Sequence, residues 1–184
     1  PAMLFLTGPI DSPTFAAFMT LETVIWWGLL IAFIDTMFIV RHTRHNEEIG
    51  AQELLLSGQT HRSTGLIAAI LMVALLNTLV AAGTGIGLQT VASVGAEQSW
   101  LYAISFGLFG IVWAAIAAVV VQLVESGRSA NGMLAGLIGV AFIVRGIGDF
   151  LGKMTASGTH EAAWISQLSP FGWLQATKSL TSPN

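Results

Sequence analysis

The chain has 184 residues, 54% hydrophobic and only 9% charged, with a formal net charge of −3 and no cysteine. Soluble domains carry charge on roughly a quarter of their residues, so this inventory cannot build a water-facing surface; the outer surface has to face lipid. The lack of cysteine excludes disulfides, thiolate metal sites and cysteine nucleophiles, and the weak acidity without a basic run argues against nucleic acid as a partner.

Residues 1–19 mix aromatics with turn residues and read as an interfacial segment outside the hydrocarbon. A membrane helix needs about 20 apolar residues, since it must cross ~30 Å at a rise of ~1.5 Å per residue. The first such run is about 20–40, TLETVIWWGLLIAFIDTMFIV. It contains Asp35, which has no basic residue three or four positions later. Asp35 has three readings: it reaches the interface, which is preferred, it pairs with a charge on another helix, or it lines a path.

The next stretch, RHTRHNEEIGAQELLLSGQTHR at 41–62, holds six of the seventeen charged side chains and three of the four histidines. Asn46 reads as an N-cap, with Glu47 and Glu48 in the first turn where the helix dipole favours negative charge. Ile49, Leu55 and Leu56 make an apolar face, Glu53 lies on the polar one, and Gly58 is a natural stop. The segment about 46–58 is therefore expected to be a short amphipathic helix on the membrane surface. Such a segment serves as a solvated loop, as a docking element for a soluble protein, or as a site. His42 and His45 with Glu47, Glu48 and His61 carry the last reading, a metal-dependent or glutamate-dependent membrane hydrolase. A dedicated zinc site needs a firm third ligand and a second shell, which this pattern lacks.

Further spans follow at about 64–88, 100–124 and 130–151. Asn77 sits in the middle of the second and Gln122 near the end of the third, both suited to bonding between helices. Gly107 and Gly110, and the GxxxG of Gly132 and Gly136 with Gly139 near the same face, offer close-packing surfaces. Trp26, Trp27 and Trp113 suit lipid contact or packing. Arg145 and Asp149 are four apart, the spacing of an ion pair within one helix turn, with gating or substrate contact as the alternative role. Residues 152–184 read as an external interfacial tail, with Trp164, Phe171 and Trp173 either at headgroup level or, equally, in an ordered loop with ordinary packing.

Arginine and lysine set the orientation. The 41–63 and 125–129 loops carry Arg41, Arg44, Arg62 and Arg128, against Lys153 and Lys178 on the other side. The two loops are expected inside and both termini outside. The chain thus reads as one all-α domain over 1–184, a polytopic bundle of four membrane helices.

The 41–62 run, followed at once by a long apolar helix, resembles the permease subunits of ABC-type exporters. It is most similar to the actinobacterial group that exports polyketide antibiotics. The matching positions are Arg41, Arg44, Glu47, Glu48, Gly50, Glu53, Leu54, Leu55, Gly58 and Arg62. TGPIDSPTF, SGRSANGMLAGLIGVAFIVRGIGD and LSPFGWLQ resemble further family segments, in the family's order. The resemblance implies a multi-pass plasma-membrane transport subunit, not an enzyme. It implies that the surface helix couples to a cytoplasmic ABC ATPase through Arg44, Glu47, Glu48, Glu53, Leu54, Leu55 and Arg62. ATP and Mg would be bound by that partner, and the cargo would be an amphipathic drug or antibiotic. Asp35, Asn77, Arg145 and Asp149 are the intramembrane polar candidates. The family's permeases are longer, often with two similar halves, so this chain is read as a piece of one half, with the second half or the rest of the permease as a partner. A small membrane scaffold with no transport role is the other alternative.

Overall fold

The computed structural model describes residues 6, 15–48, 50, 61, 63–90, 95–154 and 160–177. Four helices dominate: α1 (Phe15–Val40), α2 (Thr64–Gln89), α3 (Ala96–Leu123) and α4 (Gly127–Phe150). Four stretches are long and apolar enough to cross a bilayer: Thr23–Arg44, which runs from α1 into the turn after it, Thr64–Gln89, Ala96–Leu123 and Gly127–Phe150. Helices suit this setting because they satisfy every backbone donor and acceptor internally where water is absent. Two helices start before the apolar runs do. The hydroxyl of Ser126 accepts from the amide of Ser129 and caps α4 ahead of its apolar part. In α3 the polar turn Ala96–Ser99 is already helical before the hydrocarbon residues begin.

Helix α3 is the centre of the bundle. It packs along α2 and α1 and touches α4. Its buried residues cover most of two faces, from Ser99 to Val121. Helix α2 is the opposite case, burying only Ala69, Val73, Asn77 and Gly85 in a narrow stripe. Leu71, Met72, Leu75, Leu79 and Val80 point outward, as lipid-facing side chains do.

The core divides in two. Towards the Phe150 end it is aromatic, with Tyr102, Phe106, Phe109, Trp113 and Phe171 packed on Ile25 and Ile138. Towards the Arg41 end it is made of smaller groups, with Ala69, Val73, Ala114, Ala117, Val121, Ala130 and Leu134 around Ile39 and Val40. Large rings thus fill one half of the core and alanines with branched aliphatics the other.

The segment after α4 does not stay at the surface. A two-residue antiparallel pair, β1 (Lys153–Met154) and β2 (His160–Glu161), turns the chain back with Lys153 opposite Glu161. A 3-10 turn (Trp164–Leu168) then packs on α4, and α5 (Pro170–Ala176) runs between α1, α3 and α4. The Ser169 hydroxyl donates to the Ala141 carbonyl at 2.7 Å. Ala141 is nine residues before the end of α4 at Phe150, which places Ser169 about 13 Å down that helix at ~1.5 Å per residue. Residues 164–176 therefore fold back into the bundle as a re-entrant segment packed along α4. Trp164 and Trp173 remain exposed, but Phe171 is fully buried, 5.1 Å from the Phe109 ring and 5.9 Å from Trp113. Of the two readings of Phe171, packing holds rather than the headgroup position: a ring with no polar tip gains more from an aromatic socket than from the interface.

Candidate functional site

Three polar constellations interrupt the apolar bundle, and each ties together elements distant in sequence.

The first lies where the aromatic and alanine-rich halves of the core meet. Asp35 of α1 is buried, and its Oδ2 accepts from Asn77 Nδ2 of α2 at 2.8 Å. The same amide nitrogen also donates to the Val73 carbonyl at 3.0 Å. The preferred interfacial placement of Asp35 is therefore corrected; a side chain five residues from the helix end is too short to reach headgroups when its face turns inward. The third member is Gly110 of α3. A Cβ there would lie 2.1 Å from Asn77 Oδ1 and 2.4 Å from Asp35 Oδ2. Only a residue without a side chain lets the polar pair lie flat against α3. Gly107, one turn earlier, meets Ala81 and the Asn77 carbonyl of α2 in the same seam.

The second is at the Phe150 end. Arg145 and Asp149 are both completely buried, with Arg145 Nη1 donating to Asp149 Oδ2 at 3.1 Å. Arg145 Nη2 donates to the Leu6 carbonyl at 3.0 Å, and its guanidinium carbon lies 4.9 Å from the Phe142 ring centre. Asp149 Oδ1 accepts from the Ser166 hydroxyl at 3.3 Å, and the Gly148 carbonyl accepts from the Ala163 amide at 2.8 Å. The pair does not snorkel. It clamps the start of the re-entrant segment and residue 6 to α4.

The third is at the Arg41 end. The α-helical ladder of α1 widens into a π-turn over Arg41–His45 and continues through Asn46–Glu48. Asn46 therefore does not cap a new helix, as its position after the charged run suggested. Its backbone is helical, and its amide donates back to the His42 carbonyl at 3.3 Å. The turn ends at Gly50, whose φ of +73° is the left-handed conformation that favours glycine. Arg44 Nε donates to the Val121 carbonyl of α3 at 2.6 Å, and its Nη1 pairs with Glu47. A cleft of about 410 Å³ opens beside this pair, lined by His42, Arg44, Glu47, His61, Ser63 and Gln122 among others. His61 is hydrogen-bonded to Ser63 Oγ, and His42 Nδ1 to the Phe38 carbonyl. Among the described residues no three His, Asp or Glu side chains converge as metal ligands. Glu53, Leu54, Leu55 and Arg62 lie outside the described residues, and so does most of the expected amphipathic helix; Glu48 is described in its backbone alone.

The remaining candidates separate cleanly. Trp26 and Trp27 face outward, while Trp113 is core. Gln122 is exposed. A Cβ on Gly132, Gly136 or Gly139 would meet nothing within 4 Å, so no described residue packs on that face. Sequence reading missed the Thr23–Tyr102 hydroxyl bond of 2.6 Å and the part played by Ser166 and Ser169. The Ser169–Pro170 pair was a usable signal, because serine at the N-cap with proline next is a common helix start.

Four lipid-length helices with a buried ion pair and a re-entrant segment define a multi-pass membrane protein. No protein-family profile matches the chain. It is, however, 31% identical over 175 residues to the multidrug efflux system permease protein Rv1217c of Mycobacterium tuberculosis (strain ATCC 25618 / H37Rv). The match covers 93% of this chain and 31% of that protein, so the chain spans about a third of the relative's length. The likeness runs through all four spans and bears out the resemblance to exporter permeases of the plasma membrane.

Proposed function

We propose that the chain is part of the transmembrane permease of an ATP-driven ABC exporter that moves an amphipathic small molecule across the plasma membrane. A separate cytoplasmic ATPase would bind ATP and Mg and supply the work, and a second permease half or the remainder of the same permease would complete the path. The observation that carries this reading is the 31% identity to a multidrug efflux permease across 93% of the chain.

The Arg41 end supplies a physical rationale for coupling. Arg44 bonds α3 through the Val121 carbonyl and pairs with Glu47 just before the 49–62 loop. A push on that loop would be delivered to both α1 and α3, because the arginine joins them. Residues 46–58 are the assigned contact for the ATPase, with Glu48 and Glu53 as its carboxylates. The test is co-purification of the protein with its soluble ATPase, before and after Glu48→Arg with Glu53→Arg. Loss of association is expected, and association at wild-type level would remove the docking assignment.

A further inference from the structure

A second cleft at the Arg41 end lies between α1 and the first turn of α4. Its volume is about 570 Å³, and Ile34, Met37, Phe38, Arg41, Arg128 and Asn131 are among the residues that line it. The lining is ordered by chemistry along the membrane normal. Ile34, Met37, Phe38 and Arg41 follow the i, i+3, i+4, i+7 spacing of one helix face. That face is apolar for two turns and then ends on a guanidinium. Across the cleft, Arg128 and Asn131 are three apart on α4 at the same end.

Both arginines are exposed, and neither makes a hydrogen bond or ion pair with a described residue. Arg44, three residues on, differs: it is committed to Val121 and Glu47. Glu125, the nearest acid to Arg128 in sequence, is not among the residues that line the cleft. Two guanidinium groups with no counter-charge among the described residues therefore face one opening whose other wall is oily and exposed, with Ile34 at 53% and Met37 at 59% relative exposure. Guanidinium groups bind phosphate oxygens through paired N–H donors, and an asparagine amide can add a donor. A ligand matching the whole surface carries an anionic phosphodiester at one end and a hydrocarbon chain at the other.

We infer that the cleft lined by Arg41, Arg128 and Asn131, with Ile34, Met37 and Phe38 below them, binds one anionic phospholipid from the leaflet on that side. The phosphate sits between the two arginines, and one acyl chain runs along α1 past Met37 to Ile34. Arg41 is the first residue of the π-turn that follows α1, so the lipid braces that turn and the helix end with it.

The protein is purified in mild detergent, incubated with equimolar phosphatidylglycerol and phosphatidylcholine of the same chains, and weighed intact by native mass spectrometry. One phosphatidylglycerol is expected to be retained in preference to phosphatidylcholine. Arg41→Gln with Arg128→Gln should weaken that retention by about thirtyfold, since a cation at an anionic surface contributes ~1 kcal/mol and tenfold is ~1.4 kcal/mol. Lys153→Gln with Lys178→Gln removes the same net charge elsewhere and should leave retention unchanged. Met37→Asn, which leaves both arginines unpaired but makes the oily wall polar, should also weaken it. Circular dichroism and the elution volume of each variant must match wild type. Equal retention of the two lipids overturns the inference, as does wild-type retention in the arginine variant. Displacement by free inorganic phosphate, or full retention in Met37→Asn, would make this an anion site and equally sink the lipid.

Discussion

At Gly110 a single missing methyl group decides how three helices meet. Gly110→Ala places a carbon inside the Asp35–Asn77 pair, and overpacking of this kind costs typically about 1–3 kcal/mol. We expect a lower midpoint in thermal unfolding of the detergent-solubilised protein, and partial rescue when Asn77→Ala is combined with it. The Arg145–Asp149 pair makes a different prediction. Arg145→Gln or Asp149→Asn leaves one charge buried without its partner, a loss of about 3–5 kcal/mol, whereas replacing both by apolar residues of similar volume is far milder. A double-mutant cycle read by unfolding should show that the two losses do not add. How much of this could be read beforehand differs between the pairs. Arg145 and Asp149 face each other because four positions make one helical turn, so spacing sufficed. Asp35 and Asn77 are 42 positions apart on helices that are apolar all round. Hydrophobic periodicity carries no signal on such helices, and nothing in the string tells which faces touch.

Among the elements, the re-entrant turn and α5 are where sequence reading left most open. A short amphipathic stretch rich in tryptophan and flanked by polar residues has the composition of an interfacial anchor. What composition hides is that Gly172 and Gly148 let two backbones touch. A Cβ at Gly172 would lie 1.9 Å from the Ser166 carbonyl oxygen, and one at Gly148 2.3 Å from the Ser166 amide. The chain has no cysteine, so single introduced cysteines report position directly. A membrane-impermeant maleimide should label Glu161→Cys in the native protein but leave Leu174→Cys unlabelled until it is denatured, because Glu161 is exposed and Leu174 is buried. Equal labelling of both would return the segment to the surface. Phe171→Ala should lower stability by about 3–5 kcal/mol, the usual cost of emptying a large aromatic site. The four long helices, by contrast, were legible from length and hydropathy alone, because hydrocarbon thickness fixes how many apolar residues a span requires. Of the surface helix expected over 46–58, only Asn46–Glu48 and Gly50 are described, where the π-turn carries α1 straight through Asn46; the rest lies outside the described residues.

At the scale of the whole molecule, the bundle is unevenly shared. Helix α3 is wrapped by its neighbours, while α2 gives nearly all its circumference to the outside, and so does the glycine face of α4. Among the described residues nothing covers these faces. The inserted α5 touches α1, α3 and α4 near the Phe150 end, while at the Arg41 end α1 and α3 are joined by Arg44. A keystone at the crown of an arch sets the spacing of the piers there, and here the feet of α3 and α4 are tied as well, by the short link from Leu123 to Gly127. Any rocking of α4 against α3 should thus be held at both ends. Paired nitroxide labels at Leu101 and Ile147, and at Leu123 and Met133, are each expected to give one narrow separation.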